Sequence, residues 1–492
     1  MSKDSHFYLK KMVKHIILND SLIDSIEKSQ LLGDILSKNN IGTYSLNEVE
    51  TTLIERCFAA LTGNDKNKIL KCASKKNIFI VSQPYLSGGH TKLMEHLSSF
   101  LDITPDLVIS QKTHNDTYIR MQTFFNEIFL CTLKDISDDI ERIVEIAKNI
   151  SNYENIILNI HPDDIHSIIA CGLVKKINGQ QKIFFVNHAD HLFSYGASIA
   201  DVWFEISSYG KRIDEIRNLS AKKSFIGIPL KNLTLSEDMF FYSEKIKDGD
   251  VFLTSGTSYK FNDRDNLSFK SSLAFLMKNY PHSVIYVIGC DIIKDPWWLV
   301  EKIKYNNRLR LISQIPHVKY LEIAKQATIY IDSYPIPGAT AFPEQFCTSK
   351  RCIGQISPLQ GYTPAEILKQ KNVEDIFSVV FSNDDIRNLV HKLQDVHSIE
   401  SVKKRFNDAI ENGNYTKNLC DEYIPWSGNL KILEQNKITD FPKSLRKINY
   451  ITATCFIQLG MVKITISLLN ILFQKTIMKL IKKPIITLLG NK

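Results

Sequence analysis

The sequence predicts an α/β protein of two consecutive doubly wound units, each a parallel sheet covered by helices on both faces. Three observations predict it. Short apolar, β-rich runs alternate with helix-length stretches from residue 77 onward, the pattern of parallel strands joined by crossover helices. The pattern breaks at a polar stretch near 231–249 and then restarts. The chain has 492 residues, enough for roughly two to four folding units.

The elements follow in chain order. Residues 1–75 read as a helical lead-in, with apolar residues at helical spacing through Ile16, Leu22, Ile26, Leu31 and Leu36. In the first unit, 76–232, strands are expected at 77–83, 106–110, 127–133, 155–160, 182–188, 201–207 and 223–230. Helices are expected between them at 90–101, 138–150 and 163–177. In the second unit, 245–440, strands are expected at 250–256, 283–289, 309–315, 328–334, 351–357 and 376–382. Its helices are expected at 271–279, 320–327 and 384–396. No repeat of 20–50 residues appears, which excludes a solenoid.

Composition narrows the function classes. Apolar residues make up 44% and charged residues 23%, a soluble globular balance that excludes disordered, collagen-like and polytopic membrane chains. The net charge is +8, but residues 443–492 hold nine basic side chains and no acidic one. The rest of the chain carries 52 basic against 53 acidic side chains. A nucleic-acid partner is therefore not expected, since such a body carries its own basic face. The tail, 441–492, has uncharged runs of fifteen (448–462) and eleven (464–474) residues, parted by Lys463. Neither run reaches the ~18 residues of a spanning helix. Lysines along apolar helices suit an anionic membrane interface, so the tail is expected to hold the protein peripherally on the inner membrane face. A docked terminal helix pair is the alternative. Nine scattered cysteines without a C-x-x-C pair, and no signal-peptide core at the N-terminus, point to reduced thiols in the cytoplasm.

Five motifs could carry chemistry. SQPYLSGGHTK (82–92) follows the first strand; Gly88, Gly89 and His90 form a turn that lets a ligand approach a helix N-terminus. It is not G-x-G-x-x-G, so the dinucleotide fingerprint fails. VNHADHLFSYG (186–196) places His188, Asp190 and His191 at another strand end. A strand-end histidine serves as a general base near neutral pH, and a carboxylate beside it orients it. No downstream cluster completes a metal site there. In HPDD (161–164), Asp163 or Asp164 can cap the next helix, while His161 can face the same cleft as His188.

The fourth motif, LTSGTSYKFNDRD (253–265), opens the second unit. Ser255, Gly256 and Lys260 read as a phosphate cradle without the Walker register. Asp263-Arg264-Asp265 is a D-x-D pair of the kind that holds a divalent cation, but it and Asp248-Gly249-Asp250 read as solvated loops. The fifth is PHVKYLEIAKQATIYIDSYPIPGATAFPEQF (316–346). Gly338, Ala339 and Thr340 precede a helix whose free N–H groups suit a diphosphate. Glu344 stands where a carboxylate could hold a ribose, and His317 where it could meet a base or phosphate.

Together these residues resemble the GT-B glycosyltransferases, with two Rossmann-like domains facing across a cleft. The fifth segment is similar to the donor loop of O-GlcNAc-transferase-like enzymes, and the whole resembles the bacterial surface-polysaccharide type. The resemblance implies acceptor binding mainly on the first domain, around Gly88, Gly89 and His90. It implies nucleotide-sugar binding, with a UDP-sugar foremost, by Lys260, His317, Gly338, Ala339, Thr340 and Glu344, beside the cradle residues Ser255 and Gly256. It implies no cofactor or metal, and a glycan, lipid-linked or protein acceptor. Retaining GT-B families often place two Glu eight positions apart in this loop, and the position eight before Glu344 is Ile336. An inverting mechanism then needs a base, for which His188 with Asp190, or His191, is the candidate. A nucleotide-sugar 2-epimerase and a catalytically inactive binding subunit of the same shape are the alternatives.

Overall fold

The computed structural model describes residues 5–86, 88–131, 138–230, 233, 242–264, 266–348, 350–426, 428, 430 and 434. The first sheet has seven strands: β1 (Lys75–Val81), β2 (Asp106–Ile109), β3 (Ile128–Leu130), β4 (Tyr153–Asn159), β5 (Lys182–Val186), β6 (Val202–Glu205) and β7 (Lys222–Phe225). Their order is β3-β2-β1-β4-β5-β6-β7, and every pairing is parallel. The second sheet has β8 (Val251–Ser255), β9 (Val284–Ile288), β10 (Leu309–Ile312), β11 (Ile329–Ile331) and β12 (Arg351–Ile353). It runs β10-β9-β8-β11-β12, again all parallel. Both sheets share the 3-2-1-4-5 Rossmann order, so in each the strand order reverses beside the first strand, where open α/β sheets bind ligands.

Successive strand residues point to opposite faces. In β1, Ile78 and Ile80 join one core, while Phe79 and Val81 join another. Apolar residues on both faces are what a sheet covered twice requires. The first core is completed by the N-terminal helices Ser5–Leu18, Leu22–Lys38 and Asn47–Ala60, through Met12, Ile26, Leu53 and others. Buried Glu50 ties them to the sheet by accepting from the amides of Gly196 and Ser198, each at 3.0 Å. The second sheet is likewise covered on both faces, by Phe252, Val287 and Ile331 on one side and Leu253, Tyr286 and Tyr330 on the other.

Two features differ from the sequence expectations. The run 376–382, expected as a strand, opens inside a helix, Val373–Ser378. Ile376 and Phe377 are buried there as neighbours, and acidic Glu374 and Asp375 occupy the first turn. A short apolar run fits a buried helix turn as well as a strand, and the acidic first turn favours the helix. The second unit, drawn to 440, gives its last helices to the first: Val402, Phe406 and Ile410 pack with Phe79, Leu97 and Phe204. The chain therefore crosses back after His397, whose Nδ1 lies 2.8 Å from the carbonyl of Ile228. Residues 441–492, on which the membrane expectation falls, lie outside the described residues. Among the described residues no helix is long and apolar enough to cross a membrane.

Candidate functional site

The carboxyl ends of the two sheets meet around one cavity of about 160 Å³. The first unit contributes Gly89, His90, Leu93, His188 and His191; the second contributes Tyr259, Lys260, Ile336, Pro337, Ala339 and Thr340, with Leu359 and Tyr362. The units approach closely here, since a Cβ on Gly89 would stand 4.0 Å from Thr340 Oγ1.

The first wall is built from strand ends. After β1 the chain turns through Gly88, whose φ of +144° suits glycine, into the helix Gly89–Phe100. Ser87 lies outside the described residues. After β4, Asp164 caps the helix Ile165–Asn178 through the amide of Ser167 and accepts from Ser82 and Ser110 hydroxyls at 2.6 Å. Ser82 Oγ also accepts from the amide of His161 at 2.8 Å, which fixes the backbone of His161, a residue behind the cavity wall rather than on it. After β5 comes His188. The ring centroids of His90 lie 5.1 Å from His188 and 5.7 Å from His161, and Tyr85 stacks on His161 at 5.7 Å. Sequence spacing separates these histidines; the switch point between β1 and β4 brings them together.

Burial governs their charge. Loss of water, then the neighbouring His161, pushes His188 down to about 4. Burial, then His188 and His161, pushes His90 down to about 2, and burial lowers His161 as well. All three are neutral at pH 7. His188 Nδ1 and His90 Nε2 are buried without a hydrogen-bond partner.

Asp190 does not orient His188. Its Oδ1 accepts from Tyr362 OH at 2.8 Å, and its Oδ2 from Ser207 Oγ. The nearest imidazole recorded against it is His191, with Nδ1 3.5 Å from Oδ1. The packing explains this: Asp190 presses on Gly210, where a Cβ would fall 2.3 Å from Oδ2, and its position is fixed by the joint between units. That joint also includes the Ser208 amide, which donates to the Gly361 carbonyl at 2.8 Å.

The second wall rests on a residue that motif reasoning missed. Asp332 directly follows β11, and its Oδ1 accepts from the amides of Ser333 and Gly338, both at 2.9 Å. Its Oδ2 pairs with buried Lys369 at 2.8 Å, and Lys369 stands 3.7 Å from Glu366. Glu366 in turn accepts from the amide of Gly361. The loop before the helix Ala341–Cys347 is thus wrapped round a buried carboxylate. The amide of Gly338 is consumed inside the loop and is not free to meet a ligand. A Cβ there would fall 2.8 Å from Asp332 Oδ1. The amides of Ala339 and Thr340, which follow it, have no acceptor recorded among the described residues. The strand running into Asp332 is legible in the sequence; the closure of Lys369 and Glu366 on it is not.

Lys260 enters from the short 3₁₀ turn Ser258–Phe261 and donates to the Pro337 carbonyl at 3.0 Å. Burial lowers its pKa, and the charge of Asp332 opposes that. Ser255 Oγ lies 3.2 Å from Tyr330 OH and 3.4 Å from Tyr320 OH. Gly256 packs flat on Gly289, whose Cβ would meet the Gly256 carbonyl at 2.4 Å. Ser255, Gly256 and exposed Glu344 therefore lie beside the cavity rather than on its wall. His317 opens the helix His317–Ala324, and its side chain lies outside the described ones. Asp263 accepts from Ser268 and Lys270 at 2.5 and 2.6 Å, a local loop tie, and Asp265 lies outside the described residues. Among the described residues no group of three His, Cys, Asp or Glu is placed to hold a metal ion.

Two Rossmann-ordered parallel sheets, with their carboxyl ends lining one shared crevice, make up the GT-B architecture. The fold is GT-B. No protein-family model and no curated protein matches the chain. Solved structures similar to this GT-B chain include the apo lipopolysaccharide outer core galactosyltransferase WaaB, at 16% identity and TM-score 0.48, covering 69% of this chain and all of that one. Anabaena HepE in complex with UDP-glucose matches at 10% identity and TM-score 0.49, over 68% of this chain and 99% of that one. A Thermobaculum terrenum O-GlcNAc transferase mutant matches at 10% identity and TM-score 0.44, over 83% of this chain and 78% of that one.

Proposed function

We propose that the protein is a glycosyltransferase that moves a sugar from a nucleotide-sugar donor, a UDP-sugar foremost, to a hydroxyl of a glycan, lipid-linked or protein acceptor. One observation carries this reading: a single cavity has uncharged imidazoles on one wall and a lysine with unpaired amides on the other. The first wall suits proton acceptance and the second suits a departing anion.

In the proposed reaction the acceptor oxygen attacks the anomeric carbon and its proton passes to His188. The bond from that carbon to the diphosphate breaks, and its electron pair leaves with the diphosphate. Lys260 and the amides of Ala339 and Thr340 meet the negative charge, a preorganised electrostatic stabilisation that does this work without a metal. The charge of the bound diphosphate also lifts His188 from about 4 toward neutrality, so the base is strengthened only when donor is present. His191, tied to Asp190, is the second imidazole on that wall. The tail, 441–492, would hold the enzyme on the inner membrane face, where a lipid-linked acceptor is found; its nine basic and no acidic residues beyond position 442 support this.

The test is release of nucleoside diphosphate coupled to sugar transfer, with wild type and His188→Ala. The variant should lose about 10²–10⁴ in rate with donor affinity nearly unchanged; full activity removes His188 from the mechanism. Sugar epimerisation without acceptor, or nucleotide binding without any turnover by the wild type, overturns the transferase reading.

A further inference from the structure

The helix Ser5–Leu18 lies far from this chemistry in sequence and carries a face that the core does not use. Leu9, Met12 and Ile16 anchor it in the first core. The other side is exposed and regular: Phe7, Lys10, Lys11, Lys14 and Leu18 fall on one stripe at helical spacing. Phe7 is 54% and Leu18 66% exposed, so large apolar groups stand at both ends of three lysines. The helix contains no acidic residue. None of the three lysines has a carboxylate partner recorded among the described residues. Beside the stripe runs a groove of about 490 Å³, lined by Leu9, Val13, Ile17 and Leu46 with Lys10 and Lys14 at its side; Glu48 is its single acid.

We propose that this face docks on an anionic lipid bilayer, with the lysines on lipid phosphates and Phe7, Leu18 and the groove taking apolar acyl surface. Charge complementarity selects the occupant. Ammonium groups without partners call for an anionic surface, and the flanking exposed apolar side chains call for a surface that also has a hydrocarbon layer. A nucleic acid would meet the first demand and not the second. The helix is prefolded and anchored on the body, so docking orders nothing new, and the surface lies at the opposite end of the chain from the basic tail. The proposal is independent of the reaction assigned to the cleft.

The experiment is co-sedimentation of the full chain with phosphatidylcholine vesicles, with and without phosphatidylglycerol. Wild type should bind only the phosphatidylglycerol vesicles. Lys10→Glu/Lys11→Glu/Lys14→Glu should lower partitioning by roughly a hundredfold or more, at about fivefold per lysine. Phe7→Ser/Leu18→Ser should lower it further at high salt, where the ionic part is screened. All five positions are exposed, and unchanged melting temperatures will show that the variants fold. The control Lys278→Glu/Lys371→Glu/Lys403→Glu makes the same change in net charge on exposed lysines elsewhere and should lose far less. Unchanged binding by the helix variants, equal loss in the control, or no vesicle binding by wild type overturns the proposal.

Discussion

Replacing Lys369 by methionine would leave Asp332 and Glu366 buried with no cation between them. Breaking one partner out of a buried ion cluster typically costs about 3–5 kcal/mol, so Lys369→Met should lower stability by that amount in urea titrations. A loss below about 1 kcal/mol would show that water already reaches the pair. His188 makes a second residue-level prediction, through pH. Its folded pKa lies below the ordinary histidine value, so the unfolded chain binds the proton more readily. The stability it contributes is present above about pH 6.5 and is lost as pH falls toward 4. His188→Gln should flatten that part of the stability–pH curve, and nitrogen NMR of the free protein should show a neutral ring at pH 6. A protonated ring at that pH would contradict the burial argument. The sequence placed His90, His188, His191 and Lys260 at the cavity because each follows a strand end, and strand ends are readable. The partners of Asp190 were not readable, because Tyr362 lies 172 residues away and only the joint between units brings it near.

At the scale of elements, the second-unit loop shows what local pattern can and cannot give. The order strand, proline–glycine loop, helix was legible from residues 328–346. Which amides stay free was not, since that depends on Asp332 turning inward to take the amide of Gly338. Helix Val373–Ser378 eluded the pattern for a related reason: five apolar residues in the seven of 376–382 do not distinguish a buried turn from a strand. The segment around Gly361 couples cavity wall to joint, because Tyr362 lines the cavity and Gly361 touches Ser208. Gly361 has φ +106°, and a Cβ would stand 1.9 Å from Ser208 Oγ. Gly361→Ala should therefore push the units apart, costing about 1–3 kcal/mol and raising the radius of gyration in solution scattering. An unchanged radius with unchanged stability would show that the joint gives way without consequence.

For the whole molecule, the alternation of strands and helices gave both sheets and all twelve of their described strands, with one strand, 376–382, too many. The strand orders, and the return of residues 399–412 to the first unit, rest on packing between distant segments that periodicity does not record. The cleft exists because two sheets point their carboxyl ends at each other, and the functional account depends on that geometry holding a nucleotide-sugar. The most direct measurement is a thermal-shift panel of UDP-, GDP-, CMP- and dTDP-sugars on the full chain and on Lys260→Met. The account predicts that one nucleotide class stabilises the wild type, by about 2.7 kcal/mol at a hundred times its dissociation constant, and that Lys260→Met loses most of the shift. No stabilisation by any nucleotide-sugar, or an equal shift in Lys260→Met, would contradict it.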